Sequence, residues 1–126
     1  MNMLRVGGTM STKPMPSTIE CDRQGVLVWQ EFMFANMDYP EDAAFTADVC
    51  EEARQQLARW QGRPSLAVLC GNSEVEQQAA MFGATRDRWS PPLFHATLAA
   101  EAAAHCPDVP LLALQCAWGP LPASRR

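Results

Sequence analysis

An α/β fold built on parallel strands is the class this sequence predicts, and three stretches predict it. Leu66-Ala67-Val68-Leu69-Cys70 is an unbroken run of five apolar residues closed by Gly71-Asn72-Ser73. It is too short for a helix and reads as a strand buried on both faces. Phe45, Val49, Ala53 and Leu57 recur every four residues as far as Trp60, the stripe of an amphipathic helix. Val26-Leu27-Val28-Trp29, following Gly25, is a second short apolar run. Short apolar strands alternating with helices are the pattern of a parallel sheet.

The 126 residues are enough for one ordinary domain, and 48% hydrophobic content suits a packed core. A net charge of −4 gives no electrostatic footprint for nucleic acid. No apolar run approaches a membrane span, and residues 1–10 lack the apolar core of a secretory signal. Five cysteines, Cys21, Cys50, Cys70, Cys106 and Cys116, show no C-x-x-C pair. They suggest neither a disulfide framework nor a zinc site, so reduced thiols and a cytoplasmic location are the expectation.

In chain order, Asn2 to Val6 reads as a short buried strand ended by Gly7-Gly8, where backbone must come close to something. Residues 11–19 contain two prolines and no apolar periodicity, and by themselves read as loop. Gly25 is a helix C-cap ahead of the strand Val26 to Trp29. Glu31 falls just beyond that strand, and Trp29, Phe32, Met33 and Phe34 form a dense apolar run suited to core. Tyr39-Pro40-Glu41-Asp42 begins the striped helix, with carboxylates expected in its first turn. Its other face carries Asp48, Glu51, Glu52, Arg54, Gln55 and Gln56, an ordinary solvated surface. Gly62 and Pro64 end it. A further helix runs from Val75 to Phe82 and stops at Gly83. Trp89-Ser90-Pro91-Pro92 is a stiff connection to a helix from Leu93 to His105, with Phe94 and Leu98 on one side. His95 and His105 are expected at its surface or in capping contacts, since no third ligand has metal-site spacing.

A carboxylate, Glu74, follows the central strand at once. Side chains just past the carboxyl ends of parallel strands open into the mouth where active sites lie. On the pattern alone the favoured reading is that Glu74 and Glu76 simply open the next helix, at the positive end of its dipole. A nucleophilic Cys70 would need His95 or His105 beside it, which only a structure can show.

Four ordered motifs resolve the choice. Asn2-Met3-Leu4-Arg5-Val6-Gly7-Gly8, Gly25 through Phe32, Arg63-Pro64-Ser65 and Leu69-Cys70-Gly71-Asn72-Ser73-Glu74 resemble, in order and spacing, glycoside hydrolase family 2, above all its β-mannosidase branch. The likeness covers about residues 1–10 and 20–110. It implies a fragment of a (β/α)8 TIM barrel, about strands two to five, since a whole barrel needs about 250 residues. In the family, strand four ends in Gly-Asn-Asn-Glu, whose Glu is the general acid/base; the matching residue here is Glu74. The resemblance also implies a carbohydrate substrate, with Asn72, Ser73, Trp29, Arg5 and Asp38 as binding residues, Trp29 as a platform for a pyranose face and Asn36 and Tyr39 as further mouth residues. It implies no metal and no cofactor. Glu31 takes a supporting place rather than that of a second catalytic carboxylate. Two departures bear on the sugar: Gly7 stands where the family has a wall-forming Trp, and Ser73 where it has the Asn that contacts the 2-hydroxyl. They leave another β-glycosidase of the family, β-galactosidase- or β-glucuronidase-like, as an alternative. A non-enzymatic α/β module binding a partner through Trp29 to Phe34 is the other. Retaining glycosidases use two carboxyl groups about 5–5.5 Å apart. The family's nucleophile belongs to strand seven, so an inactive fragment is expected.

Two segments depart from the family altogether. Codons TCT-ACG-AAG-CCG-ATG-CCT-TCT-ACG-AT encode Ser11 to Thr18 and begin Ile19. Preceded by G and read one base over, they give Val-Tyr-Glu-Ala-Asp-Ala-Phe-Tyr-Asp, the family's acidic and aromatic helix start. CTA-CTG-GCC-CTC-CAG-TGC encodes Leu111 to Cys116 and, shifted, contains Tyr-Trp-Pro-Ser-Ser, the family's strand five. A barrel domain over 1–110 with a frame-shifted insert at 11–19, and a non-native tail over 111–126, is therefore expected. Sequencing the locus is predicted to show codons of this kind at both places; codons unable to yield either shifted peptide would refute it.

Overall fold

The computed structural model describes residues 1–9, 15–85 and 89–114. In chain order the elements are β1 (Met3–Val6), α1 (Met15–Gln24), β2 (Leu27–Glu31), α2 (Ala43–Trp60), β3 (Leu66–Cys70), α3 (Val75–Met81), α4 (Leu98–His105) and β4 (Leu111–Leu112). The strands form one sheet in the order β1-β2-β3-β4, every neighbouring pair parallel. Each crossover carries helix, as parallel pairing requires.

Packing centres on α2. Asp42 caps it, its Oδ1 accepting the Phe45 N–H at 2.9 Å. The carboxylates thus precede the helix, and its first turn holds none, against the sequence expectation. Val49, Ala53, Leu57 and Trp60 are buried in one core with Phe32, Leu66 and Leu69 of the sheet side and Phe94, Leu98 and Ala102 of the α4 region. Arg54 forks onto Glu101 at 2.8 and 3.1 Å, fastening α2 to α4 on their outer side. Gly25, Gly62 and Gly83 end α1, α2 and α3 at φ of +66°, +73° and +82°, as expected of residues without a Cβ.

Several expectations need correction. The β1 strand is not buried: Met3 and Leu4 are 38% and 41% exposed, because β1 is an edge with a neighbour on one side only. The strand β3 is buried at Leu66, Leu69 and Cys70 but only half-buried at Ala67 and Val68. Residues 15–19, read as loop, are helical; the rest of that segment, 10–14, lies outside the described residues, as does the tail beyond 114. β2 extends to Glu31, so that carboxylate ends the strand instead of following it, and Trp29 lies mid-strand. Trp29 to Phe34 lie more in the core than on a partner surface: Gln30, Glu31 and Phe32 are buried at 5%, 0% and 5% exposure, and half-buried Phe34 packs edge-on against Tyr39 and Phe94. The helix expected from Leu93 begins as a π-turn over Leu93–Thr97 before α4, which follows the prolines that deprive its start of donors. Leu111 and Leu112 form a strand paired with Leu69 and Cys70. Among the described residues, no helix is long and apolar enough to cross a membrane.

The lower end of the sheet is tied by Asp22 at the end of α1. Its Oδ1 accepts the Ser65 N–H at 3.0 Å and its Oδ2 accepts from Arg63 at 3.1 Å. Burial acts to raise the Asp22 pKa, but the bonds to Ser65 and Arg63 outweigh it and the net shift is downward. A carboxyl whose folded pKa lies below its unfolded value adds stability above the unfolded value and loses it as pH falls through the folded one. Asp22→Asn is predicted to lower unfolding stability by about 1 kcal/mol at pH 7. In urea titrations the gap from the parent chain should close as pH drops below the ordinary carboxylate range; a gap that stays constant would refute the assignment.

Candidate active site at the strand ends

The carboxyl ends of β1, β2 and β3 meet at one rim. Arg5 pairs in register with Trp29, Trp29 with Val68, and Glu31 with Cys70. In-register neighbours of a parallel sheet share a face, so these side chains form one surface leading up to the rim. Glu31 has no exposed surface. Its Oε1 accepts from Arg5 Nε at 2.7 Å and its Oε2 from the Gly8 N–H at 2.7 Å. Arg5 reaches onward, Nη2 donating to Ser73 Oγ at 3.1 Å. The Glu31 hydrogen bond is the main reason the Arg5 pKa is raised, and Glu74 adds to it through space. Arg5, Ser73 and Glu74 therefore stand together, on β1 and on the turn after β3.

Glycine at position 8 is a steric requirement. A Cβ there would lie 2.7 and 2.9 Å from the carbonyl oxygens of Phe34 and Phe32. Gly7 differs, since a Cβ would meet only Glu31 Oε2 at 3.6 Å and Arg5 Nη2 at 4.0 Å. Ordinary contact leaves room for a side chain beside the Arg5–Glu31 pair.

Glu74 sits between β3 and α3, half-buried, with φ +64° and ψ 6°. That left-handed conformation costs a non-glycine residue roughly 1–2 kcal/mol. Glu74 occupies the N-cap position of α3, yet its side chain makes no capping bond, so no hydrogen bond to the helix accounts for the glutamate. Only Asn36 shares a positive φ among the described non-glycine residues, and it lies on the neighbouring turn after β2. The two turns are joined: Ala35 bridges Ser73, the Ser73 N–H donates to Phe34 O at 2.8 Å, and Gln78 Nε2 donates to Asn36 Oδ1 at 2.5 Å.

Asn72 is fully buried and turned inward. Its Oδ1 accepts the Val75 N–H at 3.1 Å, and its Nδ2 donates to Ala113 O at 2.9 Å and to Glu76 Oε1 at 3.3 Å. Glu76, 2% exposed, also pairs with His95 Nε2 at 3.0 Å. It takes the helix-opening place that the sequence left open between Glu74 and Glu76, and its network is the feature sequence reasoning missed. No local signal marks a contact across 19 residues. Asp38 stands apart, in a groove of about 260 Å³ shared with Tyr39, Gln78, Phe82 and Phe94. The Tyr39 hydroxyl is occupied at Ala35, accepting its N–H at 2.8 Å.

Cys70 is no nucleophile: burial first, then Glu31, pushes its thiol up to about 12. His95 and His105 are engaged by Glu76 and Glu101, so neither serves it. Among the described residues no group of three or more His, Cys, Asp or Glu is gathered as a metal site would need.

No protein-family model matches the chain. Over 76 residues it is 40% identical to the β-mannosidase of Mus musculus, covering 60% of this chain and 9% of the mouse protein. It is 34% identical over 85 residues to β-mannosidase B of Thermothelomyces thermophilus, covering 68% and 10%. The chain thus spans about a tenth of the length of the curated relatives it matches. The crystal structure of β-D-mannosidase from Dictyoglomus thermophilum superposes with a TM-score of 0.83 at 31% identity, over 90% of this chain and 14% of that one. A Bacteroides uniformis β-glucuronidase shares the fold at a TM-score of 0.64 and 16% identity, over 87% of this chain and 13% of that one. The parallel sheet, the strand-end motifs and these identities together make the chain a homologue of one part of the β-mannosidases of glycoside hydrolase family 2.

Proposed function

We propose that this chain is strands two to five of a (β/α)8 barrel from a retaining exo-β-glycosidase acting on terminal β-D-mannosyl residues, with Glu74 as general acid/base. The observation that carries the reading is the left-handed Glu74 at the carboxyl end of β3. Strained backbone held at a strand end, with a carboxyl group unused by the helix it precedes, is the mark of a functional position. Glu74 would first protonate the glycosidic oxygen and then deprotonate the water that releases the sugar. Arg5 stands beside it on the same rim, close enough for the Glu74 charge to act on the guanidinium. Trp29 lies below on the same face, Ser73 receives Arg5, and Asn72 holds the turn, so Asn72 supports the acid rather than reaching out to the sugar.

The second carboxylate is the difficulty for the isolated chain. Glu31 is near the rim but has both oxygens committed and no exposed surface, so it cannot attack an anomeric carbon. The 126-residue polypeptide is accordingly proposed to be inactive alone. A β-glucuronidase-like specificity is the second reading. It is favoured by Gly7 standing where the family has a wall-forming Trp, and a panel of aryl glycosides separates the two.

The test replaces the segment of the superposed β-mannosidase that corresponds to β1 through α4 with residues 1–110 of this chain. Glu74→Gln in that hybrid is predicted to lower kcat/KM on alkyl β-mannosides by about 10²–10⁴-fold. The loss should be much smaller on nitrophenyl β-mannoside, whose leaving group needs little protonation. Equal activity of the hybrid and its Glu74→Gln variant would refute the role. Turnover by the isolated chain, abolished by Glu74→Gln, would refute its inactivity.

A further inference from the structure

Glu76 is a buried carboxylate that the chemistry above does not use. It lies in the first turn of α3, two residues beyond Glu74, and contacts two other parts of the chain. One oxygen accepts from Asn72 Nδ2 at 3.3 Å and the other pairs with His95 Nε2 at 3.0 Å. Asn72 in turn accepts the Val75 N–H at 3.1 Å and donates to Ala113 O at 2.9 Å. Residues 72, 75 and 76 therefore enclose Glu74 on both sides in sequence, while His95 lies in the turn that leads into α4. Among the described residues the Glu74 side chain makes no capping bond, and its carbonyl receives the Gln78 N–H at 2.9 Å.

A left-handed glutamate reverts to an ordinary conformation unless its surroundings over-determine it. A buried carboxylate is retained only where its partners compensate its lost hydration. Both conditions are met by the same four side-chain contacts. We propose that Glu76, braced by His95 and Asn72, is a positioning residue that holds Glu74 in its left-handed turn and so aims its carboxyl group over the strand ends. The proposal rests on the reading of Glu74 as the acid/base for its purpose, but not for its test.

The test uses the full 126-residue chain and reads conformation by NMR rather than activity. A positive φ brings a residue's own amide and α protons close together, giving an intense cross-peak, and the Val75 amide reports the Asn72 bond through hydrogen exchange. Glu76→Leu is expected to weaken the Glu74 cross-peak and speed Val75 exchange about tenfold. Glu76→Gln, which still accepts from Asn72 and can bond His95, is expected to keep both signals near the parent's. His95→Ala, which removes a half-exposed partner and spares the fold, should speed Val75 exchange about threefold. His105→Ala, removing a surface contact to Glu101, should change neither. A folded Glu76→Leu variant with the parent's cross-peak and exchange would overturn the proposal. Should that variant collapse, unchanged Val75 exchange in His95→Ala would overturn it instead. Loss of these signals, with a hybrid enzyme indifferent to Glu74→Gln, would leave the positioning intact and refute only the acid/base reading.

Discussion

A carboxylate buried without compensation would ionise only at a cost of several kcal/mol, and Glu31 is wholly buried. It is tolerated because one oxygen takes the Arg5 guanidinium and the other a backbone N–H at Gly8. These contacts organise more than a pair. Gly8 draws the end of β1 across the carbonyls of Phe32 and Phe34, so closely that no Cβ fits. Arg5 extends the tie to Ser73 and hence to the turn of Glu74. The first strand is an exposed edge with little apolar burial of its own, so the Glu31 clamp does for it what core packing does for β3. Removing the carboxylate would take from the Gly8 amide its acceptor and from Arg5 its closest one, loosening the end of β1 where it supplies the rim's cation.

What could be read from the sequence follows how local each determinant is. The α2 stripe, its glycine stop and the apolar run of β3 depend on neighbours within a turn or two, and all were legible. So was the place of Glu74 just past the end of β3, whereas its proposed role came from likeness of motif, since pattern alone favours helix opening. Illegible features depend on contacts across the chain. The burial of Glu31 needs Arg5, 26 residues away; the Glu76 network needs His95; the exposure of β1 needs knowledge of which strands flank it. The dense run Trp29 to Phe34 suggested either core or partner surface, and only the rings of Tyr39 and Phe94 against Phe34 decide for core.

The segment after Pro110 shows why a strand can form where the sequence argues for foreign residues. The Leu69 N–H donates to Pro110 O at 2.9 Å, and the Gly71 N–H to Leu112 O at 2.7 Å. Asn72 donates to the carbonyl of Ala113. On the tail's side every one of these contacts is backbone, and backbone pairing is indifferent to side-chain identity. Gly71 allows the close approach, a Cβ there falling 2.5 Å from Ala113 O. The receiving edge of β3 is thus shaped by Gly71 and Asn72, while Leu111 and Ala113 add partly buried apolar contacts to the core. Residues 15–24 make the same point for α1, which is helical despite the absent acidic and aromatic pattern.

Stability alone does not account for a glutamate at position 74. Glycine would adopt a φ of +64° with no steric penalty, and a helix start would be better served by a capping side chain than by one that makes no bond. The chain instead places glutamate there, and surrounds it with a fully buried asparagine and a nearly buried carboxylate, each costly unless satisfied. Every such group is satisfied by a contact that also restrains the turn: Asn72 on the Val75 N–H, Glu76 on Asn72, His95 on Glu76. A turn selected for stability alone would need none of them. Under the proposed acid/base role the restraint has a purpose, because general acid catalysis depends on hydrogen-bond reach to a bound substrate.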